Sequence, residues 1–325
     1  MNQNKIEALK GLDSSFAKDV FIGLSERPRY LPSKYFYDEV GDKIFQEIMH
    51  MDDYYLTRAE LSIFYKHKAS ILNEIGKNRP FRLLELGAGD GYKTQILLEY
   101  FVSQNCEFTY SPVDISKSVL DELSQKLADE LPQLSVDALA GDYFQMLADI
   151  SRKSDLRNVV FFLGSNIGNY VEGQAIDFLR KVRAGLRQGD KMLIGFDLKK
   201  DPDVILRAYN DEEGVTNRFN LNLLERINNE LGADFDLEKY DHRPVYDPMT
   251  GECRSYLLST EEQEVQIPSL NRTFHFAEWE PVFMEVSKKY DESEIKVLAE
   301  DCGFKAIQEF YDDKKYFVDV LWEAI

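Results

Sequence analysis

The chain has 325 residues, 44% of them hydrophobic, with 39 basic against 58 acidic side chains and a net charge of −19. That length and apolar content allow one large domain or two modest ones with a full core. The acidity disfavours nucleic acid and anionic membrane as partners, because both need basic surface. Three dispersed cysteines (Cys106, Cys253, Cys302) form no C-x-x-C, and four histidines (His50, His67, His242, His275) show no H-x-x-x-H spacing. No zinc site or other metal site and no disulfide framework is therefore indicated. The N-terminus lacks an apolar signal stretch and no run reaches membrane-span length, so a cytoplasmic enzyme or binding protein is expected; the expected state is a monomer.

In chain order, residues 1–33 are mixed, with apolar steps at Phe16, Val20, Phe21 and Leu24 that suit a short helix. Arg27–Pro32 reads as a loop, since each proline biases its predecessor away from helix. An amphipathic stretch at Lys43–Met49 precedes a helix predicted over 59–75, with Thr57 and Glu60 at capping-box spacing. An α/β alternation follows. Strands are predicted at 81–86, 108–113, 134–139, 158–163 and 191–196, with helices at 92–102, 117–130 and 174–186 between them. Continuous apolar strands between amphipathic helices imply a parallel sheet covered on both faces. The alternation breaks over 198–286, where helices near 203–210 and 219–231 precede strand-like runs at 253–259, 263–267 and 272–276. It resumes as a helix at 293–302, capped by Gly303, and two strands at 304–310 and 316–323 forming a terminal antiparallel hairpin.

The stretch Leu83–Leu86 ends in a carboxylate, Glu85, and a turn with Gly87, Gly89 and Gly91, after which Lys93 and Thr94 open a helix. The G-x-G-x-G spacing is neither the dinucleotide fingerprint nor a phosphate loop, and Glu85 would repel a phosphate. A carboxylate beside such a turn suits a ligand with a positive charge and a ribose, such as S-adenosylmethionine (SAM). Ligands of these sheets sit beyond the C-terminal strand ends. Glu85 with Gly87 and Gly89 would face the methionine end. Asp114 would bridge the ribose hydroxyls, and Asp142 with Tyr143 would meet adenine; Lys93 completes the cofactor-binding set. Strand 158–163 ends in Gly164-Ser-Asn-Ile-Gly-Asn169, where Asn169 offers both a donor and an acceptor to an amine; a left-handed loop asparagine is the competing reading. An aromatic cluster (Tyr35, Phe36, Tyr37, Phe45, Tyr54, Tyr55) could attract a cation, with Tyr35 and Phe36 reading more as core.

The runs Leu31–Gly41, Tyr54–Glu60, Leu84–Thr94, Leu163–Asn169 and Ala208–Asn220 closely resemble the histidine-specific, SAM-dependent methyltransferases of ergothioneine biosynthesis. The resemblance spans nearly the whole chain. It implies an α/β class I SAM-methyltransferase (Rossmann-like) sheet with the terminal hairpin, plus an inserted α+β substrate-binding subdomain. The methyltransferase core would be 56–197 with 287–325, and the substrate subdomain 1–55 with 198–286. The implied reaction is Nα-trimethylation of L-histidine to hercynine, with SAM as donor and a small amino acid as the binding partner. Carried over by motif, Tyr54 and Asn169 would hold the α-amino group as the catalytic pair, and Tyr209 the carboxylate. Tyr37, Phe45 and the Gly164 backbone would line the pocket, while Glu285 and Ser287 read the imidazole. Alternation along a strand lets Glu285 and Ser287 meet one ring. One position departs from the pattern: Ser255 stands where relatives carry Met beside the imidazole. It makes an Nα-methyltransferase for another aromatic, tryptophan-like amino acid or an imidazole metabolite the alternative.

Overall fold

The computed structural model describes residues 12, 14–114, 117–141, 156–171 and 173–325. The chain divides into two compact units, 1–55 with 200–287, and 56–199 with 288–325.

From the N-terminus the elements are α1 (Ser15–Ser25), β1 (Arg29–Tyr30), α2 (Glu39–His50) and α3 (Tyr55–Ile75). There follow β2 (Phe81–Leu86), α4 (Gln95–Ser103), β3 (Phe108–Asp114), α5 (Lys117–Glu130), β4 (Ser135–Val136), β5 (Leu139–Ala140), β6 (Arg157–Phe162), α6 (Gln174–Ala184) and β7 (Lys191–Asp197). Next come α7 (Pro202–Tyr209), α8 (Val215–Leu231), β8 (Tyr240–Asp247), β9 (Glu252–Ser259), β10 (Gln263–Ile267), β11 (Arg272–Phe276) and β12 (Pro281–Lys288). The chain closes with α9 (Glu292–Asp301), β13 (Phe304–Tyr311) and β14 (Phe317–Ala324).

In the unit 56–199 with 288–325, the described strands form a sheet in the order β13-β14-β7-β6-β2-β3-β4, with β5 pairing alongside β3. Strands β7, β6, β2, β3 and β4 run parallel, and β14 and β13 are antiparallel. The central strands are buried on both sides because their sequences are apolar at successive positions, as in Val159–Phe162 and Met192–Phe196. On one face, Phe178, Leu179 and Val182 of α6 and Ile295 and Leu298 of α9 pack with Leu84, Val160, Ile194 and Trp322. The third parallel element, predicted as one strand over 134–139, is instead two short pairings interrupted around Asp137–Ala138.

The unit 1–55 with 200–287 holds a four-stranded sheet, β1-β12-β9-β8, and a separate β10–β11 hairpin. Phe16, Val20, Phe21 and Leu24 of α1 join Phe36, Phe219, Leu223, Ile227, Leu257 and Met284 in one core. Strand β8 was not foreseen: only Tyr240 and His242 are buried, Arg243, Val245 and Asp247 are exposed, and Pro244 broke the pattern. Helix α8 starts at Val215, four residues before the predicted start, because Asp211 accepts hydrogen bonds from the Val215 and Thr216 amides.

The helix predicted from 59 begins at Tyr55, so Thr57 lies inside it and the expected Thr57–Glu60 capping box does not form. A capping box does form at Asp291 and Glu294, opening α9. Glu60 is thereby available for a different use.

Candidate active site

The glycine turn follows β2, the strand at which the sheet order reverses, where open α/β sheets place their ligands. Gly87, Gly89 and Gly91 have φ of 74°, 54° and 66°, a region glycine enters without the penalty of a side chain. The Gly87 amide donates to the Val113 carbonyl at 2.9 Å, pinning the turn to β3. At Gly91 a Cβ would lie 2.6 Å from Leu123 Cδ1, whereas at Gly89 it would meet nothing within 4 Å. The first glycine of that pair serves packing against α5, and the second leaves room for a ligand to approach the backbone.

Beneath the turn, Glu85 is buried, and its two oxygens accept from Thr94 Oγ1 and the Tyr110 hydroxyl, each at 2.5 Å. Burial raises its pKa to about 7 despite these two donors and the Lys93 charge. Glu85 is thus engaged inside the fold, bracing the turn. Lys93 pairs with the Glu60 carboxylate. Asp114 ends β3, half-buried. Asp142 and Tyr143 lie outside the described residues.

At the end of β6, Gly164 has φ 72° and its amide donates to Glu60 Oε1 at 2.7 Å. The left-handed non-glycine residue of this loop is Ser165 (φ 57°), not Asn169. Ser165 Oγ accepts from the Asp197 amide at 2.9 Å. A 3₁₀ turn over Asn166–Asn169 then presents Asn169 at the surface. At Gly168 a Cβ would lie 2.7 Å from the Lys288 carbonyl oxygen, so the turn is fixed by close backbone contact. Lys289 and Asp197, both without exposed surface, pair at 2.8 Å beside it. The backbone leading to Asn169 is therefore held by close packing at Gly168.

In the other unit, Tyr209 at the end of α7 donates its hydroxyl to Ser287 Oγ at 2.8 Å. The Tyr54 and Tyr209 rings meet edge-to-face at 6.4 Å. Tyr37 packs against Phe45 at 5.5 Å and Phe219 at 5.7 Å. Tyr37 keeps 41% of its surface exposed, yet its phenol is pushed well above its ordinary pKa, first by burial, then by the charge of Glu285 and by Tyr54, Asp42 and Tyr209. The ring contact and the hydroxyl bond bring Tyr54, Tyr209 and Ser287 together, with Glu285 two residues along the same strand.

Phe283, Glu285 and Ser287 alternate along β12 on one face, and the Phe283 ring meets Tyr256 of β9 at 5.8 Å. That face therefore carries Tyr256. Ser255, its neighbour, is buried on the opposite face, paired across β8 with Pro244. The structure does not bring Ser255 to the Glu285 side. Sequence reading passed over Tyr256, Phe219 and Glu60. Phe219 sits within the Ala208–Asn220 run and was readable as a further ring.

The strand order with a reversed terminal hairpin, together with a glycine turn after the first strand and an acid ending the second, defines a class I SAM-dependent methyltransferase. The roomy Gly89 backbone and the acid at Asp114 fit SAM as the cofactor. Residues 16–324 match the family described as histidine-specific, SAM-dependent methyltransferases, and the chain belongs to it. It is 33% identical over 296 residues to a histidine N-alpha-methyltransferase of Mycobacterium tuberculosis, covering 91% of each chain. It is 35% identical over 284 residues to the protein of the same name from Mycolicibacterium smegmatis, covering 87% of each. To ergothioneine biosynthesis protein 1 of Schizosaccharomyces pombe it is 29% identical over 313 residues, 94% of this chain and 40% of that protein. No described helix is long and apolar enough to cross a membrane.

Proposed function

We propose that this enzyme transfers methyl groups from SAM to the α-amino nitrogen of L-histidine, stopping at the trimethylated product, hercynine. The observation that carries the reading is the face of β12, where Glu285 and Ser287 lie two residues apart with Tyr209 bonded to Ser287. A carboxylate and a hydroxyl at that spacing match the two nitrogens of one imidazole. Glu285 accepts from the ring N–H. The Ser287 hydroxyl hydrogen serves as the donor to the second nitrogen. A substrate with an apolar ring would leave these polar groups facing nothing, a loss that selects strongly for the partnered ligand.

SAM supplies an electrophilic methyl group on a sulfonium. Its transfer requires a neutral amine in line with the carbon–sulfur bond, and orientation accounts for most of the rate. An α-amino group has a pKa of about 8, so proton loss needs no strong base. Tyr37, its phenol pushed well above its ordinary pKa by burial first, is not that base. In this reading Tyr54 and Asn169 direct the nitrogen lone pair, and Tyr209 turns to the substrate carboxylate. The rings of Tyr37, Phe45 and Phe219 suit the growing positive charge, each face contributing about 0.5–2 kcal/mol.

Incubation with SAM and each of the twenty common amino acids, followed by mass spectrometry, tests the assignment. Histidine alone should gain three methyl groups. Equal methylation of tryptophan would support the alternative, an Nα-methyltransferase for another aromatic amino acid.

A further inference from the structure

Among the buried titratable groups, one pair stands outside everything assigned above. Glu60 and Asp319 both lack exposed surface. Asp319 lies in β14 opposite Gly195 of β7, and a Cβ on Gly195 would fall 2.7 Å from Glu60 Oε1. Glycine at that position makes room for the Glu60 carboxylate beside Asp319. Neither Asp319 oxygen has a hydrogen-bond donor among the described residues.

Two buried carboxyl groups side by side do not both ionise, since repulsion and lost hydration oppose the second charge. The other contacts of Glu60 show which one keeps the charge. Its carboxylate accepts from the Gly164 amide at 2.7 Å and pairs with the Lys93 ammonium. Lys93 lies close under Gly164: a Cβ there would be 3.0 Å from Nζ. Glu60 thus links the segment leaving the glycine turn to the end of the neighbouring strand β6. These are two lips of the crevice in which this fold holds its ligand.

We propose that Glu60 is a positioning residue of the cofactor site, its carboxylate fixing Lys93 and the Gly164 amide, with Asp319 behind it as a neutral acid that donates a hydrogen bond to Glu60. The proposal rests on SAM being held at the glycine turn. Burial first, then the negative charge of Glu60, raise the Asp319 pKa well above its usual value, with Lys93 opposing, which agrees with a proton retained on Asp319. Glu60 touches neither substrate nor reacting atoms; it acts through Lys93 and the backbone of residue 164.

Calorimetric binding of S-adenosylhomocysteine to the full chain, combined with the KM for histidine at saturating SAM, tests this. Glu60→Gln should weaken S-adenosylhomocysteine by about tenfold or more, the effect of a lost charged hydrogen bond, and leave the histidine KM within about twofold. Asp319→Asn, whose amide can still donate to Glu60, should bind within about threefold of wild type, whereas Asp319→Ala should lose about as much as Glu60→Gln. A folded Glu60→Gln protein with wild-type affinity, or equal losses in Asp319→Asn and Asp319→Ala, would overturn the proposal. Should Glu60→Gln not fold, the infrared spectrum of aspartate-labelled wild type decides. A protonated carboxyl band absent from Asp319→Asn is expected, and no such band contradicts the assignment. Wild type that bound no S-adenosylhomocysteine would overturn the cofactor reading and this proposal with it, whereas intact binding in Glu60→Gln overturns the proposal alone.

Discussion

The hydroxyl of Tyr209 donates to Ser287 Oγ at 2.8 Å, joining the end of α7 to the strand that carries Glu285. In the proposed reaction these two residues serve different ends of one substrate, the carboxylate and the ring. Their bond fixes the spacing between those ends before substrate arrives. Tyr209→Phe should therefore raise the histidine KM by about 5- to 30-fold, the equivalent of about 1–2 kcal/mol for a buried hydrogen bond. Ser287→Ala should cost a similar amount, and the double variant less than the product of the two, because both remove the same bond. Steady-state kinetics on the three variants check this; fully multiplicative losses would show that the two hydroxyls act independently.

Glu285 carries the selectivity for a ring N–H. Replacing it with Ala should lower kcat/KM for histidine by roughly 10- to 150-fold, the range for a lost hydrogen bond to a charged group, while turnover of tryptophan stays level or rises. Competition assays with both amino acids in one tube measure the ratio directly. An unchanged ratio would return the ring-reading role to other residues of that face.

The two faces of β9 make opposite predictions. Ser255→Ala should leave the histidine KM within about twofold, because Ser255 points away from Glu285 and a small buried exchange perturbs stability more than binding. Tyr256→Ala should raise KM several-fold by removing a ring from the face shared with Phe283 and Glu285. Kinetics on the pair distinguish them, and a Ser255 effect larger than the Tyr256 effect would reverse the assignment of faces.

Much of this was legible from residues alone, for identifiable reasons. The central strands declare themselves because burial on both faces demands continuous apolar runs, and the glycine turn because its left-handed positions at 87, 89 and 91 suit glycine alone. Glu60 was misread. Thr57 and Glu60 have the spacing of a capping box, but the helix begins at Tyr55, and the carboxylate reaches across the fold to Gly164. Local spacing carries no information about such a long-range partner. The face that Ser255 occupies was not legible for a related reason: a motif does not reveal which side of a strand a residue takes, and one step reverses it. Strand β8 was hidden by Pro244 and by the exposure of one of its faces.

Glu85 gives the pH dependence of stability a definite sign. Its folded-state pKa, about 7, lies above its ordinary 4.5, so the folded protein holds this proton more tightly than the unfolded chain does. The stability it contributes is fully present below pH 4.5 and is lost as pH rises to about 7. Glu85→Gln removes that titration. Urea unfolding of wild type and variant across this window should show the variant gaining relative to wild type as pH rises, by up to about 1.4 kcal/mol per pH unit. A difference that stays constant with pH would mean Glu85 titrates alike in both states.

The central claim concerns which nitrogen is methylated and how often. Carbon-13 methyl-labelled SAM with L-histidine, followed by nuclear magnetic resonance of the product and a count of S-adenosylhomocysteine released, addresses both together. The account predicts three equivalents of S-adenosylhomocysteine per histidine consumed and one labelled resonance from three equivalent methyls on the α-nitrogen. Label on a ring nitrogen, or turnover that ends after a single methyl, would contradict it.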